Sequence, residues 1–267
     1  MSLGSRIWLD SDLDSAEISE WPIGQVASFS RRCPGKASAN EDGALIVALD
    51  ESRAVLAVAD GCGGMNAGAD ASKITLETLK QYVLRGRTHT GSLRVEILDG
   101  IEAANSKVLK LGVGAATTLA IVEIHADKVR PYHIGDSQIV MVGQRGKVKL
   151  ATPAHSPVGY AVEAGVLSES DAMVHEDRHI VSNVVGIRDC HIEVGMRLKM
   201  AKRDTLVLAT DGIFDNLQVD EVCGIVRKGP LADVAGRLIT ETNRRVESPT
   251  GDSPSKPDDA TFLVFRR

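Results

Sequence analysis

Four cysteines in 267 residues, none of them in a C-x-x-C pair, leave no zinc ribbon and no disulfide framework to build on. Cys33, Cys62, Cys190 and Cys223 are too sparse and unpatterned to be anything but reduced thiols. Positive charge is not in excess either: 31 Lys and Arg stand against 36 Asp and Glu, a net charge of −5, which excludes a chain-wide phosphate-neutralising surface. Long apolar runs are missing. The longest, Ala115 to Ile124, carries two Thr and a Glu and is about half of the ~20 residues a spanning helix needs. The opening MSLGSRIWLDSDLD has no basic stretch leading into an apolar core, so no secretory signal is expected. No G-x-x-x-x-G-K-[ST] loop occurs, and the dinucleotide fingerprint begun by Gly61 and Gly63 breaks at Asn66. Aromatic residues make up only 3%, yet 43% of the chain is hydrophobic, enough for a packed core without staples and against disorder. The absences together lead us to expect a soluble cytoplasmic protein with no membrane or nucleic-acid partner, acting as a monomer.

The apolar pattern is mixed. Ala44–Leu49 and Ala54–Ala59 form a hairpin signature around Asp50-Glu51-Ser52-Arg53. Residues 67–84 and 92–109 carry apolar groups near a 3.6 period and predict two helices. Thr117–Ile124, Lys128–His133, Gln138–Val142 and Lys147–Leu150 then predict an antiparallel meander punctuated by glycine and aspartate. Further on, a short helix is expected at 168–173, a buried strand at 205–209, helices at 220–227 and 231–246, and a closing strand at 261–265. Residues 1–27 are acidic and weakly patterned, an extension of uncertain order, and 28–267 form the main domain. Glu247–Pro257 (ESPTGDSPSKP) has the composition of a flexible loop. Strands and helices that segregate rather than alternate predict an α+β fold, a four-layer α-β-β-α sandwich of two antiparallel sheets with helices outside.

Acidic residues recur where apolar strands stop or start: Val58-Ala59-Asp60-Gly61, Ile134-Gly135-Asp136-Ser137, Ala209-Thr210-Asp211-Gly212 and Asp258-Asp259-Ala260-Thr261, with Asn40-Glu41-Asp42-Gly43 before the first clear strand. One Asp-Gly is ordinary turn chemistry. Several carboxylates converging on one sheet edge repel each other and stay ionised only if cations lie among them. An all-oxygen ligand set suits hard cations such as Mg²⁺ or Mn²⁺. The glycine after Asp60 and Asp211 would let the backbone turn sharply and present a carbonyl to a metal.

These stretches, with GAATTLA (Gly114–Ala120), HIGDSQ (His133–Gln138), ATPAHSPVGYAVEAG (Ala151–Gly165), VLATDGIFDNL (Val207–Leu217) and PDDATFLVF (Pro257–Phe265), resemble in their order the motifs of the metal-dependent protein phosphatases, the protein phosphatase 2C family. The resemblance runs from about Pro34 to the C-terminus. It implies hydrolysis of phosphoserine and phosphothreonine in proteins by a water activated between Mn²⁺ or Mg²⁺ ions, two in number with a third, weaker one. By the same resemblance Asp60 bridges two metals, Asp211 and Asp258 complete the first site, and Asp42 with the Gly61 carbonyl holds the second, Glu41 being the rival. Asp136 resembles the ligand of the third. Such chemistry needs no protein nucleophile, and no cysteine is followed by an arginine at the spacing of a cysteine-dependent phosphatase: six residues separate Cys190 from Arg197. Residues 156–177 resemble the variable flap beside the family's cleft.

The chain also departs from the family. Cys62 stands where many relatives have a histidine, Gln138 where an arginine is common, and Ala154 where an aspartate is usual. The phosphate-gripping arginine is absent, leaving Lys36 as the nearest cation and Arg32 as the second candidate. Lysine is a point charge without the planar fork of a guanidinium. His155 is expected to be a structural hydrogen-bonding residue, Asp215 to orient the Asp211 loop, and Asp259 to support ligands from behind. The departures keep alive a pseudophosphatase that binds a phosphoprotein on the same fold, and a phosphatase of small phosphometabolites.

Overall fold

Runs in which nearly every residue is apolar become strands buried on both faces. The computed structural model describes residues 4–63, 67–247 and 254–267. Along the chain come β1 (Gly4–Leu9), β2 (Glu17–Trp21), β3 (Gly24–Arg31), β4 (Asp42–Ala48) and β5 (Arg53–Cys62). Two helices follow, α1 (Ala67–Arg85) and α2 (Arg94–Leu109), then β6 (Ala116–Thr117), β7 (Leu119–His125), β8 (Lys128–Ile134), β9 (Gln138–Val142) and β10 (Val148–Ala151). After α3 (Pro157–Glu163) and α4 (Glu169–Ala172) come β11 (Glu193–Val194), β12 (Leu198–Lys199), β13 (Thr205–Ala209), α5 (Asp211–Phe214), α6 (Val219–Val226), α7 (Leu231–Glu247) and β14 (Ala260–Arg266). One sheet has the order β1-β4-β5-β7-β8-β11, with β6 on β5 and β12 on β8; the other has the order β10-β9-β13-β14-β3-β2.

Alternation sorts the side chains into layers. Ala44, Ile46 and Ala48 of β4 and Leu56 and Val58 of β5 point inward, to meet Met141, Leu206, Leu208, Leu263 and Phe265 of the facing sheet. Leu45 and Val47, one residue out of phase, pack under α1 and α2 against Leu76, Leu79, Val83, Ile97 and Ile101. On the far side, Val207, Phe262 and Val264 lie under α6 and α7 against Val222, Val226, Val234 and Leu238. The result is the expected α-β-β-α sandwich. The N-terminus of α2 is anchored by a buried acid: Glu123 of β7 accepts from Ser92 Oγ, from the Leu93 N–H and from the Tyr132 hydroxyl. No helix among the described residues is long and apolar enough to cross a membrane.

The first 27 residues correct the expectation of an extension of uncertain order. β1 pairs along its whole length with β4, and β2 with β3. Both lie at sheet edges, where one side of each strand meets solvent, so the only deep anchors are Trp8 and Trp21, 5% and 8% exposed. Glu17 accepts from the Trp8 indole and pairs with Arg6, which ties the edges of the two sheets together.

Candidate active site

Register explains why distant acids converge. Asp42 is the first residue of β4 and faces Asp60 directly across the β4–β5 ladder. In the other sheet, Ala209 at the end of β13 is paired with Gln138 at the start of β9 and with Phe262 near the start of β14. The segments just beyond these pairs, carrying Asp136, Asp211 and Asp258, therefore leave the sandwich at one edge. Thr210 joins the two sheets there, its hydroxyl donating 2.8 Å to Asp42 Oδ2. The Asp60 backbone is pinned, its N–H on Thr118 Oγ1 and its carbonyl accepting from Thr117 Oγ1 and the Thr118 N–H. Asp42, Asp60, Asp136, Asp211 and Asp258, all singled out in the sequence, meet in one centre. Asp215 joins them.

The centre is electrostatically unfinished. Burial, then Asp259, Asp211 and Asp258, hold the Asp42 carboxyl well above its ordinary range. Burial, then Asp211, Asp42 and Asp136, do the same to Asp60. Asp136 is pushed up to about 8 by burial and then by Asp211 and Asp215. Asp258 and Asp215 rise to about 6, each by burial first and Asp211 second. Carboxylates raised in this way by one another favour a cation between them.

One cation is already present, and it comes from the segment expected to be a flexible loop. The Lys256 ammonium is hydrogen-bonded to Asp211 Oδ2, lies 2.7 Å from Asp215 Oδ2 and reaches Asp258 Oδ2 at 3.5 Å. Burial pulls this ammonium down, but Asp211 and Asp215 outweigh it and hold the lysine well above its usual value. Glu247 closes α7, residues 254–257 are ordered around Lys256, and the rest of the loop, 248–253, lies outside the described residues. A single ammonium does not saturate the site. Asp211 Oδ1 and Asp136 Oδ1 are buried and have no hydrogen-bond partner among the described residues. Orphaned carboxylate oxygens in an all-oxygen set fit a hard divalent ion.

Lys36 lies on the flank. Its ammonium is 2.7 Å from both Glu41 Oε2 and Asp259 Oδ2, so it stands paired rather than free. Burial lowers it, and the two acids together raise it further. Glu41, the rival ligand, spends one oxygen on Lys36. Asp259 also accepts from the Cys33 and Glu41 backbone N–H groups, so it straps the Asp258 segment to the start of β4. Arg32 turns outward to Asp12. The Cys62 residue is exposed, but its thiol is raised to about 11 by desolvation from the protein around it and then by Asp136, Asp211 and Glu41, which makes it a reluctant proton donor.

The glycines beside the acids have a different purpose from the one expected. Neither Gly61 nor Gly212 has a positive φ. A Cβ on Gly61 would strike the Gly68 carbonyl, and one on Gly212 the Asp259 carbonyl. These positions are glycine so that two backbones can touch, not so that the chain can turn.

His133, His155 and Glu193 form a second cluster with metal-capable atoms, within 4.8 Å of one another. Hydrogen bonding already uses it. His155 Nδ1 accepts from Asn183 Nδ2 and the Gly135 N–H, so its Nε2 carries the proton and donates to Glu193 at 3.2 Å. His133 Nε2 donates to the Pro153 carbonyl. His155 is thus structural, as expected. Burial, then His155, lowers His133 to about 4. The unfolded chain therefore takes up this proton near pH 6.5 and the native state only near 4, and stability falls as pH drops through that window. Measured by urea unfolding, His133→Gln should remove about 2 kcal/mol of the stability lost between pH 7 and pH 5.

Beside the acids, α3 and α4 cover a groove of about 320 Å³ lined by Val158, Val162, Met173 and Phe214, with Asp136 and Asp215 on its wall. Arg178, which the sequence did not single out, fastens this flap by donating to the Met173 carbonyl and, at 3.1 Å, to that of Ser255, next to Lys256.

Residues 31–244 match the family model described as protein phosphatase 2C. The chain belongs to the protein phosphatase 2C family. It is 30% identical, over 72% of its length and 80% of the relative's, to a putative protein phosphatase 2C-type protein of Streptococcus pyogenes. The serine/threonine phosphatase of S. agalactiae superposes with a TM-score of 0.76 at 26% identity, covering 91% of this chain and 99% of that one. The catalytic domain of the phosphatase PstP, solved with two manganese ions, has the same fold, with a TM-score of 0.69 at 23% identity over 90% of this chain and 96% of its own.

Proposed function

We infer that the chain hydrolyses phosphoserine and phosphothreonine monoesters in proteins, with two divalent ions held at the carboxylate edge. The observation that carries this is the convergence of five strand-end aspartates on a centre that one lysine leaves unsatisfied, with Asp211 Oδ1 and Asp136 Oδ1 unpartnered among the described residues. Bound there, divalent ions supply a water acidic enough to ionise near neutral pH and positive charge against the phosphoryl oxygens. Asp60, fixed through its backbone, would contribute to both ions; Asp211 and Asp258 would hold one, Asp42 and the Gly61 carbonyl the other, with Asp136 beside them. The two manganese ions of PstP support manganese and a count of two. Lys36, expected to grip phosphate, is better placed to position Glu41 and Asp259, between which its charge is divided.

A protein substrate suits the flap, which exposes Tyr160, Val166 and Val174 beside the groove. Such apolar surface can meet a polypeptide but offers nothing to a free phosphometabolite. The test is phosphate release by the purified chain with Mn²⁺, from phosphoserine and phosphothreonine peptides and from free phosphoesters. We expect turnover of the peptides, abolished by chelator and restored by Mn²⁺. Peptide binding without phosphate release would establish the pseudophosphatase instead, and preference for free phosphoesters would displace the protein-directed reading.

A further inference from the structure

The lysine inside the carboxylate centre is held too firmly to be incidental. Asn216, fully buried, clamps the Lys256 backbone from both sides: its Oδ1 accepts from the Lys256 N–H at 2.8 Å, and its Nδ2 donates to the Lys256 carbonyl at 2.9 Å. The same Nδ2 donates to the Gly212 carbonyl, so the clamp is registered on the turn that carries Asp211. The preceding Ser255 carbonyl is taken by Arg178, just beyond the flap. From this fixed base the ammonium donates to Asp211 and Asp215 and lies 3.5 Å from Asp258 Oδ2, an ion-pair contact. It takes one oxygen of Asp211 and leaves the other without a partner among the described residues, in a residue only 8% exposed.

We propose that Lys256 is a resident cation of the metal centre: its ammonium permanently fills the side formed by Asp211 Oδ2 and Asp215. Divalent ions then enter only on the side of Asp42, Asp60, Asp136 and the free Asp211 oxygen. Asp258, at the longest of the three contacts, is shared between the two sides. The lysine thus replaces one exchangeable ion with a covalently tethered charge, and lowers by one the number of metal ions the centre can take. The inference rests on reading the aspartates as a divalent-ion site.

Two measurements decide it. In the first, the full chain is stripped with chelator and reloaded, and the Mn²⁺ bound per chain is counted by equilibrium dialysis and native mass spectrometry. Lys256→Met, which keeps the length and removes the charge, should bind one ion more than wild type, and Lys256→Arg the wild-type number. An unchanged count with about tenfold or tighter affinity would mean that the ion displaces the lysine, and would overturn residence. An unchanged count and affinity would make the lysine a bystander and overturn it equally. The second uses wild type alone and serves even if the variants fail to fold. Reductive methylation of Lys256, read by peptide mass spectrometry, should be equally slow in chelated and Mn²⁺-saturated protein. Faster labelling on Mn²⁺ addition would show the side chain being expelled, against the proposal. If wild type and the variants all bind no Mn²⁺, the metal centre itself fails, an outcome distinct from either.

Discussion

Asp60→Asn should leave a folded protein whose phosphatase activity has fallen about a thousandfold or more, the scale expected when a group that organises transition-state charge is removed. Asparagine keeps the shape but offers one neutral oxygen in place of a carboxylate, so it cannot be shared between two ions. The same substitution relieves the stripped protein. Asp60 is held well above its normal range by burial and by Asp211, Asp42 and Asp136, and its charged form weakens the chelated native state. Chelated Asp60→Asn should therefore melt at a higher temperature than chelated wild type at pH 8. Saturating Mn²⁺ should raise the melting temperature of wild type and move the variant much less, since only a ligand that binds the native state stabilises it. The two effects have opposite signs, and a merely structural role for Asp60 would give activity and stability lost together. Wild-type turnover in a folded Asp60→Asn protein would remove the mechanism.

What could be read in the sequence depended on how far each feature's partners lay along the chain. Ala44–Leu49 and Thr205–Ala209 announced themselves because both faces of their sheets are covered, one by the opposing sheet and one by helices, which turns alternation into an unbroken apolar run. β1 and β2 did not, because edge strands keep one side polar and β2 reads EISEW. The strand-end acids stood out from local context, and the family resemblance picked the five aspartates from among them. Lys256 did not stand out. It sits in a segment whose composition reads as loop, and what orders it is a buried amide 40 residues earlier, Asn216. Asp259 was expected to support its neighbours from behind, and its three hydrogen bonds, to Cys33, Glu41 and Lys36, do so.

The glycines were noticed for a reason that the backbone does not bear out, and Gly212→Ala tests the replacement reason. A Cβ there would fall on the Asp259 carbonyl oxygen, 2.9 Å from its carbon and 3.1 Å from Ala260 Cα. Backbone cannot rotate out of the way as a flexible side chain can. Either α5 must lift, carrying Asp211, or the Asp258–Asp259 segment must retreat, breaking the Asp259 bonds to Cys33, Glu41 and Lys36. Overpacking of this kind costs about 1–3 kcal/mol, and the broken strap about 1 kcal/mol more for each net hydrogen bond lost. We expect Gly212→Ala to lose about 3 kcal/mol in urea unfolding and about tenfold or more in Mn²⁺ affinity, as when groups that orient metal ligands are disturbed. Gly224, inside α6 with nothing within 4 Å of its hypothetical Cβ, supplies the control. Gly224→Ala should be neutral or stabilising by about 0.5–1 kcal/mol, through lower backbone entropy of the unfolded chain. If both variants unfold alike and bind Mn²⁺ as wild type does, the contact between the Asp211 turn and the Asp259 strap is compliant, and the spacing of Asp211 and Asp258 must be set by something else, with the Asn216 clamp on Lys256 the next link to cut.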